Sequence, residues 1–282
     1  MIPERVDLPL PRSLTETEAL RAAPEPLDWK SSEESGRRAL STAVPGIFRA
    51  DIIFLEEGRG LELRFESAAS AATREQLLQN VLKAWLPALG VDAASIFVEA
   101  CRYGLAPLID EGLRARPSTE TLGRALLATP SAPLAERLLR EGADANARRP
   151  NGVTALINAA RYGQLDLMRL LLSKGADPDA ASTDGEITAL GQALASPAVG
   201  KSCAPADAVK ALLEAGADAN APAGGWTPLL IALSNDDADS VGALLAAGAD
   251  PKARSPDGAT AADLARRASP KTRERFEKAP KR

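Results

Sequence analysis

The phrase Gly-Ala-Asp occurs four times in the second half of this 282-residue chain. It begins at Gly142, Gly175, Gly216 and Gly248, so the intervals are 33, 41 and 32 residues. A period of this length is typical of solenoids, in which short units of secondary structure stack on their neighbours. The phrase therefore predicts a stack of repeats, which offers an extended binding surface and seldom a deep catalytic pocket.

Each phrase ends a run that reads as a helix with one apolar face, as in residues 167–174. The glycine stops the helix, because left-handed backbone costs glycine almost nothing. Aspartate and asparagine just beyond the glycine suit a turn whose side chains bond their own backbone. They are Asp144, Asn146, Asp218 and Asn220.

A second helix is predicted about ten residues after each turn, where a threonine can cap its first turn. These threonines are Thr154, Thr188, Thr227 and Thr260. Each unit is thus predicted to contain two short helices and to be joined to the next unit by a glycine-rich hairpin. Neither helix buries its apolar face alone, so neighbouring units must stack.

These motifs resemble those of the ankyrin-repeat family. The best units begin with Asn-Gly-Val-Thr-Ala-Leu at 151–156 and Gly-Trp-Thr-Pro-Leu at 225–229, and the resemblance covers roughly residues 92–280. It implies a mainly α solenoid of about five to six units. Where the family usually has a histidine after Thr-Pro-Leu, this chain has Ile157, Gly191, Leu230 and Asp263. The hydrogen-bond network of that histidine is therefore expected to be absent or rebuilt.

The first ninety residues do not follow the repeat pattern. Residues 1–35 hold five prolines and no clear periodicity, which predicts an extended arm. Residues 47–55 and 61–66 predict a β-hairpin, and residues 72–86 predict a helix. We expect residues 36–90 to form a small α+β segment that either caps the first repeat or adds a strand to a partner. Residues 91–282 are the predicted array.

The array is predicted to end in a basic C-terminal cap, because residues 266–282 hold eight basic and two acidic residues. Two interpretations fit this segment. It either contacts nucleic acid or an acidic protein, or it is simply a solvated helical end. No aromatic platform or groove-reading motif accompanies the charges, so the solvated end is favoured and nucleic acid is not an expected partner.

Catalysis is not expected, because the chain contains no histidine. That excludes Ser-His-Asp triads, Cys-His dyads and histidine-bearing zinc sites. Cys101 and Cys203 are too few for a cysteine-only metal site, and Cys101 is expected in the core. The sequence predicts no metal, no cofactor and no small-molecule substrate.

One segment approaches a phosphate-binding loop. Residues 195–202, Ala-Ser-Pro-Ala-Val-Gly-Lys-Ser, have alanine in place of the first glycine of that motif. They coincide with an insertion that makes this unit seven residues longer than its sister units. The motif needs a strand before it and a helix directly after it. Here a helix is predicted before it and Pro205 follows, so we interpret the resemblance as chance.

The start of the chain has no signal-peptide pattern, and no run approaches the roughly 20 apolar residues of a membrane span. We therefore expect a cytoplasmic protein. The abundance of Ala, Arg and Leu is typical of bacterial chains.

Ankyrin-like proteins generally bind partners through the hairpin tips and the first helix of each unit, on the concave side. Carried over residue by residue, these positions are Arg102, Tyr103, Arg148, Arg149, Val153, Arg161, Tyr162, Glu186, Ile187, Trp226, Asn235 and Asp236. Trp226 is interpreted as an anchor. Tyr103 and Tyr162 either contact a partner or brace neighbouring repeats.

The expected function is a non-catalytic module that binds a partner protein in the groove of the array. A sharper alternative is a bacterial immunity or antitoxin protein that inhibits a cognate toxin or effector. A third hypothesis places an enzyme activity in the N-terminal segment, which shows no catalytic constellation.

Overall fold

The computed structural model describes residues 5–9, 30–34, 37–44, 48–54, 60–65, 71–85, 87, 91–195 and 204–278. The chain divides into two compact units, Met1–Thr121 and Leu122–Arg282. The predicted boundary at residue 90 differs from this division because the helices that follow residue 91 contact the segment before it. We describe each unit separately.

The first unit contains a five-stranded antiparallel sheet in the order β1-β5-β4-β3-β2. The strands are β1 (Arg5–Pro9), β2 (Lys30–Glu34), β3 (Arg37–Val44), β4 (Phe48–Phe54) and β5 (Gly60–Phe65). The predicted hairpin is confirmed: β4 pairs with β5, and Phe54 lies opposite Leu61.

The prediction of an arm over residues 1–35 missed two strands of this sheet. Arg5–Pro9 pairs with β5 and Lys30–Glu34 pairs with β3. The second of these has the sequence Lys-Ser-Ser-Glu-Glu, which shows no alternation of apolar and polar residues. Its strand structure depends on pairing with β3, a contact that local sequence pattern does not reveal.

Helices complete the first unit. They are α1 (Ala71–Asn80), a π-helical turn (Val81–Trp85), α2 (Ala93–Tyr103) and α3 (Ala106–Arg114). The first two confirm the helix predicted over 72–86, and Leu78, Val81 and Leu82 are buried. The π-helical turn contacts α2, and its Lys83 Nζ lies 3.5 Å from Glu111 Oε2 of α3. These contacts explain why α2 and α3 group with the N-terminal residues.

Helices α2 and α3 form the shortened repeat predicted from about residue 91. Asp92 caps α2 by accepting a hydrogen bond from the Ser95 amide at 2.9 Å. The two helices approach closely at Gly112, where a Cβ atom would lie 2.2 Å from Phe97 Cδ2. Cys101 has no exposed surface, which confirms that it is a core residue.

The second unit is a succession of helix pairs. The first helices of the pairs are α4 (Thr119–Ala128), α6 (Ala155–Arg161), α8 (Ala189–Ala195), α10 (Pro228–Ser234) and α12 (Ala261–Arg267). The second helices are α5 (Ala132–Arg140), α7 (Leu165–Ser173), α9 (Pro205–Glu214), α11 (Ala238–Ala246) and α13 (Pro270–Glu277). From α6 to α12 each first helix packs on the next first helix, and from α5 to α13 each second helix packs on the next second helix.

Stacking buries the apolar faces that single helices leave open. In α7, Leu167, Met168 and Leu171 are buried, as the apolar pattern predicts. In α6, the small residues Ala159 and Ala160 are buried and leave room for neighbouring helices to approach. The mainly α solenoid is therefore confirmed for the repeats, and the sheet adds a β component to the N-terminal unit.

Threonines precede α6, α8, α10 and α12, and three of these four threonines cap their helix. The Thr154 hydroxyl accepts from the Ile157 amide at 3.3 Å, and the Thr188 hydroxyl accepts from the Gly191 amide at 3.1 Å. Thr227 begins α10 without such a bond, and its buried Oγ1 has no hydrogen-bond partner among the described residues.

The missing histidine network is rebuilt in one repeat. Asp263 stands at the histidine position of α12 and forms a capping box with Thr260. Its amide donates to the Thr260 hydroxyl at 3.1 Å, and its carboxylate accepts from the Thr260 amide at 3.0 Å. These bonds, led by that of the Thr260 side chain, lower the pKa of Asp263 below its ordinary value.

The Gly-Ala-Asp turns carry a ladder of hydrogen bonds that links successive repeats. Within each turn, the aspartate carboxylate accepts from the amide two residues later, as in Asp144 with Asn146 at 2.8 Å. The Asn146 side chain then bridges to the next turn: its Nδ2 donates to the Gly175 carbonyl at 3.0 Å, and its Oδ1 accepts from the Asp177 amide at 2.8 Å. We call Asn146 and its equivalents, Asp179 and Asn220, the ladder residues.

Asp179, the middle ladder residue, makes only one of the two contacts that Asn146 and Asn220 make. Asn220 donates to the Gly248 carbonyl at 3.2 Å and accepts from the Asp250 amide at 2.8 Å. Asp179 accepts from the Asp218 amide at 2.8 Å, but a carboxylate has no N–H to donate to the Gly216 carbonyl. The ladder is therefore weakest between the second and third turns.

We expect Asp179→Asn to raise the free energy of unfolding by about 0.5–1.5 kcal/mol, because the new amide group can donate to the Gly216 carbonyl. The reverse change, Asn220→Asp, is expected to lower it by a similar amount. Urea denaturation followed by circular dichroism measures both values. An Asp179→Asn protein no more stable than the parent would show that the ladder bond adds nothing.

A second prediction concerns Gly152 and Gly185, which occupy equivalent hairpin positions with φ of 81° and 75°. A Cβ on Gly152 would lie 2.6 Å from the Thr183 amide nitrogen of the next hairpin, whereas a Cβ on Gly185 meets nothing within 4 Å. Both alanine variants strain the backbone, but Gly152→Ala also overpacks a backbone contact. We expect Gly152→Ala to cost about 1–3 kcal/mol more than Gly185→Ala in thermal or urea unfolding. Equal costs would contradict this close approach.

A third prediction compares Thr227 with Thr154. Because the Thr227 hydroxyl is buried without a partner among the described residues, Thr227→Val is expected to leave the unfolding free energy unchanged or to raise it. Thr154→Val removes a helix cap and is expected to cost about 1 kcal/mol. Calorimetric melting of the two variants checks the difference. A larger loss of unfolding free energy for Thr227→Val than for Thr154→Val would show that the Thr227 hydroxyl makes a stabilising hydrogen bond.

Candidate functional site

Most of the predicted partner-binding residues lie in the second unit, on hairpins and at the ends of first helices. Two of them, Arg102 and Tyr103, lie instead in the last turn of α2 in the first unit. Arg102 is exposed and its Nε lies 3.3 Å from Glu99 Oε2, while Tyr103 is half-buried.

The hairpin between α5 and α6 presents two exposed arginines that also connect repeats. Arg148 donates through Nη1 to the Ala181 carbonyl at 3.2 Å, and its Nη2 lies 3.9 Å from Asp177 Oδ2. Arg149 donates through Nη2 to the Leu127 carbonyl at 3.2 Å. A guanidinium has five N–H donors, so each arginine keeps capacity for a further acceptor.

Val153 does not belong on this surface. Its side chain is only 4% exposed, because the residue lies where the hairpin turns into α6 and packs inward. The prediction of Val153 as a partner contact is therefore corrected. The sequence signal was its place beside the hairpin tip, which does not distinguish inward from outward orientation.

The end of α6 places a cation and an aromatic ring side by side. Arg161 is half-buried, and its Nε donates to Gln192 Oε1 of α8 at 2.9 Å. Tyr162 caps the C-terminus of the helix and is 54% exposed. Among the residues whose side chains are described, it is the one large hydrophobic residue that is exposed.

The next hairpin presents Glu186 and Ile187, which are exposed and half-buried respectively. Its shape is held by Asp184, which accepts from the Ser182 hydroxyl and from the Glu186 amide. These two bonds, the first being the stronger influence, lower the pKa of Asp184 below its ordinary value. The hairpin tip is therefore anionic and lies one repeat beyond the two arginines.

Trp226 follows a tight two-residue turn. The Ala223 amide donates to the Trp226 carbonyl at 2.8 Å, and the Trp226 amide donates to the Ala223 carbonyl at 3.1 Å. Gly224 and Gly225 have φ of 57° and 77°, the positive values that a type I′ hairpin turn requires. The indole is half-buried, so Trp226 both packs in the hairpin and offers part of its ring to solvent.

Asn235 and Asp236 are exposed, yet both have partners within the fold. Asn235 Nδ2 donates to the Leu194 carbonyl at 2.7 Å and so covers the end of α8. Asp236 has φ of 56° and replaces the glycine found at Gly163 of an earlier repeat. Its Oδ1 accepts from the Ser269 amide at 3.0 Å. Sequence reasoning missed these structural contacts, although an aspartate at a glycine position was their signal.

In the part of the chain that the structure describes, no group of three or more Cys, Asp or Glu side chains is placed to hold a metal ion. Ala195 ends a helix and Pro205 begins the next, so a helix precedes the phosphate-loop-like segment, as predicted. Residues 196–203 of that segment, with Cys203, lie outside the described residues.

None of the described helices is long and apolar enough to cross a bilayer.

Two family models match the chain. One, described as Ankyrin repeats (3 copies), matches residues 124–221, and the other, described as Ankyrin repeat, matches residues 224–256. No curated protein matches the sequence. The chain therefore carries an ankyrin-repeat array over residues 124–256, which is a protein-interaction module.

Proposed function

We propose that the array binds a partner protein through the face formed by its hairpin tips and the ends of its first helices, with Tyr162 as a central contact. The observation that carries this proposal is that Tyr162 is 54% exposed, whereas the other large hydrophobic residues whose side chains are described are buried or half-buried. An exposed tyrosine gives a partner much apolar area at a small cost in side-chain entropy.

The surroundings of Tyr162 support a contact with a partner over a bracing role. A bracing ring is expected to be buried between repeats, and Tyr162 is not. Its neighbour Arg161 is already oriented by Gln192, so its guanidinium is held in place before a partner arrives. Tyrosine and arginine are the residues that interface hot spots favour.

The neighbouring hairpins supply a polar rim for the same surface. Arg148 and Arg149 present positive charge on one hairpin, and Asp184 and Glu186 present negative charge on the next. Such a pattern favours a partner with the opposite order of charges, and it affects association rate and specificity more than affinity. Because Arg148 and Arg149 also bond to neighbouring repeats, their loss is expected to weaken both binding and stacking.

Binding without catalysis is the activity that these observations favour. The absence of histidine from the whole sequence removes the most common general base, and the repeats belong to a class of interaction modules. We extend the same interpretation to the N-terminal unit and propose no reaction for it.

The decisive variants are Tyr162→Ala and, as a control on the second helix of the same repeat, Arg169→Ala. Arg169 is exposed and lies in α7, away from the proposed face. Affinity capture from the native host with mass spectrometry identifies the partner, and calorimetric titration then measures affinity. We expect Tyr162→Ala to weaken binding by about 2 kcal/mol, roughly thirtyfold, with no change in melting temperature. Trp226→Ala should weaken binding similarly and, since its ring is half-buried, also lower stability.

The opposite pattern would reject the proposed face: full affinity for Tyr162→Ala together with lost affinity for Arg169→Ala. The identity of the captured protein separates the finer hypotheses. One stoichiometric partner with toxin activity would favour an immunity role, whereas several partners would favour a scaffold.

A further inference from the structure

The C-terminal helix α13 packs on α11 and makes several polar contacts with the preceding repeat. Of its residues from Pro270 to Glu277, Thr272 is the buried one, and Phe276 is half-buried. By contrast, α11 buries five residues, among them Val241, Leu244 and Leu245. The side chains of α13 therefore contribute little buried apolar surface of their own to this contact.

Two aspartates of the preceding repeat hold the first turns of α13. The carboxylate of Asp236 accepts from the Ser269 amide at 3.0 Å, and its carbonyl accepts from the Thr272 hydroxyl at 3.2 Å. Asp239 Oδ2 lies 3.1 Å from Lys271 Nζ, and Asp239 Oδ1 lies 3.7 Å from Arg275 Nη2. We call these six residues the latch.

The geometry of the latch indicates that it is a specific arrangement. Asp236 adopts φ of 56°, a conformation that is costly for a residue other than glycine, and its side chain and carbonyl both bond to α13. The Arg275 side chain passes close to Gly242 of α11, since its Cδ would lie 3.6 Å from a Cβ at that position, an ordinary van der Waals contact. The Arg275 stem thus lies across α11 while its guanidinium reaches Asp239.

Electrostatics is consistent with this arrangement. The hydrogen bond from Lys271, and then its charge, lower the pKa of Asp239, with smaller contributions from Arg275 and from Lys210 of α9. Hydrogen bonds from Thr272 and Ser269 lower the pKa of Asp236. Because both shifts are downward, the latch is complete above the ordinary aspartate pKa of about 3.9 and weakens as the pH falls below it.

We propose that α13 is a detachable cap: the latch opens when its ion pairs are screened or removed, while the repeats before it stay folded. Exposed ion pairs are weak and sensitive to salt, whereas the apolar stacking of the earlier repeats is not. When the latch opens, the face of α11 around Gly242 becomes exposed to solvent. The fraction of molecules that expose this face therefore depends on the salt concentration.

Limited trypsin digestion of the full chain tests this proposal, because Lys271 and Arg273 are cleavage sites inside α13. The variant is Asp239→Asn, and the matched control is Asp166→Asn, which changes the equivalent exposed residue in the first turn of α7. Mass spectrometry measures cleavage after Lys271 and Arg273 against cleavage after Arg169 and Lys210. We expect Asp239→Asn to accelerate cleavage within α13 by about three- to tenfold and to leave the other sites unchanged.

Salt provides the second measurement. Between roughly 0.05 and 1 M NaCl, α13 cleavage of the parent protein is expected to rise several-fold, and that of Asp239→Asn to change little. Rates are normalised to a small peptide substrate to remove the effect of salt on trypsin. A second variant, Asp236→Gly, removes the Ser269 acceptor while relieving the backbone, and it should also open α13. The proposal is overturned if Asp239→Asn behaves like Asp166→Asn, or if α13 and the earlier repeats are cleaved together.

Discussion

The turns between helix pairs are joined to one another by side-chain hydrogen bonds of the ladder residues. The Gly175 carbonyl and the Asp177 amide both bond to the side chain of Asn146, which belongs to the turn before them. The same exchange joins Asn220 to the turn that begins at Gly248. These groups are exposed to solvent, so each bond is expected to contribute modestly, and the bonds add to the apolar packing that makes the array stable as a stack.

Side chains on the candidate surface also link repeats. Arg148, Arg149 and Arg161 each donate a hydrogen bond to a neighbouring repeat. Their guanidinium groups are therefore oriented before binding, which reduces the conformational entropy that these side chains lose when a partner binds. Tyr162 differs from them because its ring is exposed and is the described aromatic group most accessible to a partner.

The stack is not uniform along its length. The ladder loses a donor at Asp179, the cap of α10 lacks its hydroxyl contact at Thr227, and the side chains of α13 contribute little buried apolar surface. In a linear array, stability is approximately a sum over repeats and their interfaces. Weak links therefore stay local, and the end of the array can open while its middle remains folded.

The sequence alone determined the repeat period, which is read from the spacing of the Gly-Ala-Asp phrases. It also determined the helix pairs, the caps at Thr154, Thr188 and Thr260, and the β4–β5 hairpin, because each of these depends on a pattern within a few residues. Only the tertiary structure decided that Val153 points inward, that Asp236 bonds to Ser269, and that residues 5–9 and 30–34 are strands of a sheet. For Asp236 and for residues 5–9 the physical reason is range, because their partners lie tens of positions away along the chain. Residues 30–34 pair with the adjacent β3, but their sequence lacks the apolar alternation that predicts a strand. The orientation of Val153 depends on how the hairpin packs, which its neighbours in the sequence do not specify.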